Sequence, residues 1–175
     1  MDSLETKAND VLQCLVGLPW SIARRAASMA NFHFGEITYH GKGSIGQFGL
    51  HIQCPWRIEH SGKVFTGASD LWEPANPQEE VDWSTWDYEK NENLRDYLLQ
   101  ELLKGTCPVT GSSQNETDLL VVQVVKVDAF GGVRISMSGG YSLVIFPEGS
   151  VGEQWRLLAS PGEGHFVYSC SEDIG

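Results

Sequence analysis

Between residues 119 and 170 the chain alternates short apolar runs with turn residues, and this pattern most restricts how it can fold. LLVVQVVKVD, VRISMS, YSLVIFP, QWRLLAS and HFVYSC are each of strand length. Side chains alternate faces along a strand, so Val133, Ile135 and Met137 of VRISMS go to one side. The connections are too short to hold crossover helices. Asp128 to Gly132 reads as a turn, Gly139-Gly140 suits a type I′ turn, and Pro161-Gly162 joins the last two runs. Strands linked so tightly must run antiparallel, which predicts a meander of at least five strands.

The first half adds helices. Asp2-Ser3-Leu4-Glu5 has the form of a helix start, with Asp2 as the cap, and Leu4, Ala8, Val11, Leu12 and Leu15 continue as an apolar stripe over residues 3–15. Residues 31–39 alternate like a strand, whereas 18–28, where Pro19 suits a helix start, are left open. NENLRDYLLQELLKG reads as a second helix, with Leu94, Tyr97, Leu98 and Leu102 inward, Lys104 at the negative helix end and Gly105 as the stop. No repeat or composition break divides the 175 residues. The expectation is one α+β domain over 1–175, with a mainly antiparallel sheet of about seven or more strands and two or three helices.

LHIQCPWRIEH, residues 50–60, gathers two histidines, a cysteine, a tryptophan and an arginine. Strand alternation puts Phe48, Leu50, Ile52, Cys54, Trp56, Ile58 and His60 on one face, and His51, Gln53, Arg57 and Glu59 on the other. His51 and Cys54 therefore diverge, and no C-x-x-C or H-x-x-x-H spacing completes a zinc set. The stretch reads as a packed strand, with Pro55 marking an edge or bulge. Ser61-Gly62 then turns the chain into KVFTGASD, pairing Ile58 with Phe65 and setting Trp56 opposite Gly67.

HGKGSIGQFG contains a formal G-x-G-x-x-G at Gly41, Gly43 and Gly46. That fingerprint works by leading into a helix whose N-terminus meets a pyrophosphate, and here it leads into a strand. A glycine loop between strands is the expected structure. No P-loop and no G-x-S-x-G elbow occurs. No cofactor is expected.

Net charge is −11, from 23 acids against 12 bases, and Arg24-Arg25 is the sole adjacent basic pair. Nucleic-acid and anionic-membrane binding need a basic footprint, so neither is expected. The start, MDSLETKAND, lacks the basic and apolar regions of a signal peptide, and no run of 18 apolar residues occurs. A cytoplasmic chain with reduced cysteines at 14, 54, 107 and 170 is expected, which leaves the Asn115 sequon without a role.

The acidity is concentrated. Residues 70–96 hold nine acids against Lys90 and Arg95, together with Pro74, Pro77, Trp72, Trp83 and Trp86. Without a period, this reads as a long acidic loop over about 70–90, and loops of that length are often functional. Its tryptophans either anchor the loop to the core or face a basic partner. The candidate binding residues are Trp72, Glu79, Glu80, Asp82, Trp83, Trp86 and Asp87, with His51 and Arg57 on the outer strand face. The acids have no EF-hand spacing, and no metal ligand set is assigned.

Phe34-Gly35, LHIQCPWRI at 50–58, Gly67, Asp70, QWRLL and HFV together resemble small bacterial proteins of uncharacterised activity. The resemblance covers most of the chain and implies no activity, cofactor or site residue.

The leading expectation is a non-catalytic interaction protein that binds or neutralises a basic protein partner, as toxin immunity proteins do. One alternative is a small hydrolase or metal-dependent enzyme using His51, Cys54, His60 or Asp70, which requires those groups to converge. Another is a homo-oligomer subunit that pairs through the edge strand at Pro55 or the outer face of 48–60.

Overall fold

Every alternating run of the second half forms a strand, and so does most of the chain between Trp20 and Gly67. A computed structural model describes residues 3–104, 119–159 and 164–170. In chain order it has helix α1 (Leu4–Leu12), strands β1 (Trp20–Ala26), β2 (Met29–His40), β3 (Gly43–Ile52), β4 (Trp56–His60) and β5 (Lys63–Gly67), helix α2 (Leu94–Lys104), and strands β6 (Val122–Val127), β7 (Val133–Met137), β8 (Tyr141–Ile145), β9 (Glu153–Ala159) and β10 (His165–Ser169). Short 3-10 turns follow α1 at Gln13–Leu15 and β5 at Ala68–Trp72.

The fold is α+β and antiparallel, and its strands divide into two five-stranded sheets. One has the order β1-β2-β3-β9-β10, the other β5-β4-β8-β7-β6. The core lies between them. Trp20, Phe32, Phe34, Leu50 and Trp155 from the first sheet meet Trp56, Ile58, Ile135, Leu143 and Ile145 from the second. The Phe32 ring sits edge-on to Trp56 at 5.0 Å and tilted to Trp20 at 4.8 Å, geometries that favour aromatic pairs.

An exposed sheet edge is an invitation to pair with another chain, and both helices address it. α1 packs against β6 and β10, and α2 against β1 and β5, so each helix bridges an edge strand of each sheet. Ser3 caps α1 by accepting the Thr6 N–H at 3.1 Å, while the Asp2 cap expected from sequence lies outside the described residues.

LHIQCPWRIEH is the bridge between the sheets. β3 ends at Ile52, the chain bends through Gln53, Cys54 and Pro55, and β4 resumes at Trp56 in the second sheet. The side-chain phase survives the bend. Leu50, Ile52, Cys54, Trp56 and Ile58 are all buried, as a single face requires.

Residues 18–28, left open by the sequence, carry strand β1. Four expectations are corrected. The meander expected after α2 is split, with β6, β7 and β8 in one sheet and β9 and β10 in the other. The glycine segment is mostly strand: only Gly41 and Lys42 lie between the paired ends His40 and Gly43. β5 carries a bulge that sets Ile58 opposite Thr66 and Arg57 opposite Gly67, so Trp56 does not cover that glycine. The buried stripe of α2 is Arg95, Leu99 and Leu103, with Tyr97 exposed, because a charged residue assigned outward is held inside by hydrogen bonds. The loop after α2, including Cys107 and Gly105, lies outside the described residues, as does Pro161-Gly162.

Gly46 of β3 serves a close approach. A Cβ at Gly46 would lie 2.8 Å from that of His33, whose Nδ1 accepts the Gly46 N–H at 3.1 Å. Burial, with the nearby charges of Arg24 and His51, holds the buried His33 imidazole neutral down to about 4. The unfolded chain takes up this proton near pH 6.5, the folded chain only near 4, so stability is complete above 6.5 and falls as pH drops between those values. Urea unfolding at pH 7.5 and pH 5 is expected to differ by about 2 kcal/mol more in the native chain than in His33→Gln. Equal differences would show that His33 does not govern this pH range.

Candidate functional site

The acidic segment is ordered by its own polar side chains. Asparagine and aspartate can hydrogen-bond the backbone two residues on, and three of them do so in succession. Asn76 Oδ1 accepts from Gln78 N–H at 3.2 Å, Asp82 Oδ1 from Ser84 N–H at 3.0 Å, and Asp87 Oδ1 from Glu89 N–H at 2.8 Å. These contacts replace the missing helix or strand ladder. The ends of the segment are drawn together where Ala75 N–H donates to Glu92 O at 3.0 Å and Leu94 N–H to Glu73 O at 2.8 Å.

Two arginines and one carboxylate fasten this neck to the domain. Arg25 of β1 donates through Nε to Asp96 Oδ2 at 2.6 Å and through Nη2 to the Tyr88 carbonyl at 3.2 Å. Arg95, itself buried, donates to Asp96 Oδ1 at 3.3 Å. Asn93 completes the arrangement as the cap of α2, accepting Asp96 N–H and donating to Asp96 Oδ2, both at 2.9 Å. Burial alone would push the Asp96 carboxyl up, but hydrogen bonds from Asn93 and Arg25 and the two guanidinium charges outweigh it and hold it below the usual range.

The folded loop makes an open groove of about 730 Å³ against the start of α2. Glu79, Glu80, Asp82 and Glu92 supply carboxylates to its walls, Trp86 and Tyr97 supply rings, and no basic side chain lines it. Hydrogen bonds from the Ser84 hydroxyl and N–H keep Asp82 below the usual carboxylate range, so its charge persists at neutral pH. The arrangement suits a cation with an apolar stem, because rings accept the stem while carboxylates accept the charge.

Of the residues expected from sequence, Glu79, Glu80, Asp82 and Trp86 converge here. Trp83 packs on Trp86 at 5.7 Å with 62% of its surface exposed, beside the groove. Asp87 is occupied with its turn and with Lys90 at 3.3 Å, and Trp72 packs edge-on against Tyr88 at 4.7 Å. Glu92 and Tyr97 line the groove without having been singled out from sequence. Tyr97 was hidden by the wrong helix phase, and Glu92 carried no signal beyond its charge.

His51 and Arg57 lie on other surfaces. His51 is half-buried in the first sheet, where burial and the Arg156 charge lower its pKa. Arg57, in the second sheet, pairs with Glu59 at 2.7 Å and rests on the Phe146 ring at 4.6 Å. The groups named for an enzyme have separate structural roles. Cys54 is in the core, His60 stacks on Tyr141 at 4.0 Å, and Asp70 accepts from the Thr66 hydroxyl at 2.8 Å and the Gly67 N–H at 3.2 Å. Among the described residues no group of three or more His, Cys, Asp or Glu side chains is placed to hold a metal ion. Nor is any described helix long and apolar enough to cross a membrane.

No protein-family model, curated protein or solved structure matches the chain.

Proposed function

We propose that this chain is a non-catalytic binding protein that holds a basic segment of a partner protein in the acidic groove. The observation that carries this reading is the lining itself: four carboxylates and two aromatic rings around about 730 Å³, with no cation among them. Opposite charge on the partner accelerates encounter, and a ring that loses water on contact slows departure. Binding of this kind masks the partner's basic surface, as an immunity-like neutraliser would.

A nonapeptide of alternating arginine and glycine serves as the probe. The triple reversal of Glu79, Glu80 and Asp82 to lysine is expected to weaken its binding at least tenfold. The matched reversal of exposed Glu5, Asp10 and Glu36 changes the net charge equally and is expected to cost much less, because those acids lie outside the groove. Equal losses in the two triple variants would reduce the effect to net charge and sink the groove as the site.

A further inference from the structure

A second cleft, of about 360 Å³, opens where the chain passes between the sheets and meets the 3-10 turn Ala68–Trp72. Cys54, Trp56 and Leu71 give it buried apolar walls, Ser28 and Glu148 polar ones, and Trp72, 53% exposed, stands at its side. Its volume falls within the range of small-molecule sites.

Arg95 lies directly behind this wall. Its Nη1 donates to the Ser28 carbonyl at 3.1 Å and its Cζ is 5.9 Å from the centre of the Trp56 ring, and both residues line the cleft. The Arg95 side chain is 1% exposed, yet Nη2 has no hydrogen-bond partner among the described residues. A buried N–H without an acceptor costs about 1–3 kcal/mol, and buried polar groups are ordinarily paired. The carboxylate bonded to Arg95, that of Asp96, is shared with Arg25.

We propose that this cleft binds a small monocarboxylate with an apolar body, whose carboxylate takes the free Nη2 of Arg95. The apolar walls fit the body, and one free nitrogen fits one charge-assisted hydrogen bond. Glu148 on the wall disfavours a dianion such as phosphate. Nη2 is sealed from solvent, so occupancy requires the cleft wall in front of Arg95 to part. The cleft shares no lining residue with the acidic groove.

The probe is benzoate, with benzamide as its uncharged counterpart, followed by amide and Arg95 Nε–H resonances in nitrogen-edited NMR. Benzoate is expected to give saturable shifts at Ser28, Cys54, Ser69, Trp72 and the Arg95 Nε–H, with benzamide at least tenfold weaker. Equal binding of the two, shifts elsewhere, or no saturable shift at the solubility limit overturns the proposal. Arg95→Gln is liable to unfold, so the companion variant is Ser69→Trp, which narrows the cleft from an exposed position and leaves Arg95 intact. It is expected to abolish the benzoate shifts with thermal unfolding unchanged. Retained shifts would place benzoate outside the cleft.

Discussion

Iodoacetamide applied to the native protein at pH 7.4 is expected to leave Cys54 unmodified, with a rate about a thousandfold below that of an ordinary thiol. The thiolate is the reactive species, and burial pushes the Cys54 thiol up to about 12, with hydrogen bonds from its own N–H and that of Phe146 offsetting only part of the effect. Cys14 is exposed and provides a reference in the same sample, although partial desolvation raises its pKa as well. Peptide mapping resolves the two sites. Modification of Cys54 should appear only when denaturant is added. Rapid labelling of the folded chain would mean an activated thiol, and would put the enzyme reading ahead of the binding one.

The second large effect concerns the carboxylate that secures the acidic loop. Asp96→Asn is expected to cost about 3 kcal/mol in denaturant unfolding, the lower end for a broken buried pair because 28% of the Asp96 side chain remains exposed. The substitution keeps size and one acceptor but deprives Arg25 and Arg95 of the carboxylate they share. Arg25 also holds the Tyr88 carbonyl, so hydrogen exchange across residues 73–93 should quicken alongside the global loss. By contrast, Glu101→Gln removes an exposed pair with Lys104 and is expected to stay within about 0.5 kcal/mol of native. An Asp96→Asn variant as mild as that would show that the loop is held by its turns alone.

These effects trace a line between what residue patterns reveal and what they conceal. The strand face from Leu50 to Ile58 was legible because burial enforces period two, and even the bend at Pro55 left the phase intact. Ser61-Gly62 was legible for a similar reason: both residues have positive φ in the structure, the backbone that a two-residue hairpin turn demands. The bulge in β5 was not, since Phe65 occupies one extra position and nothing in KVFTG marks it. Arg95 was the least visible residue of all. A lone charge on a helix is ordinarily solvated, and its burial depends on Asp96, on the Ser28 carbonyl 67 positions away and on the Trp56 ring.

The groove divides along the same line. Its charge and aromatic content were plain in residues 70–96, and four of its lining residues were among the candidates. Its shape came from Asx turns, whose identity depends on which asparagine or aspartate bends back, and from a neck fastened by an arginine in β1. By itself, the sequence determined an antiparallel α+β chain with an acidic, tryptophan-bearing insertion, because alternation, turn chemistry and charge are local properties. Only the tertiary structure decided that the ten strands of the described residues form two sheets and that Glu79, Glu80, Asp82 and Glu92 face one space. It also set a buried guanidinium behind a second cleft, since those outcomes rest on contacts between residues far apart in the chain.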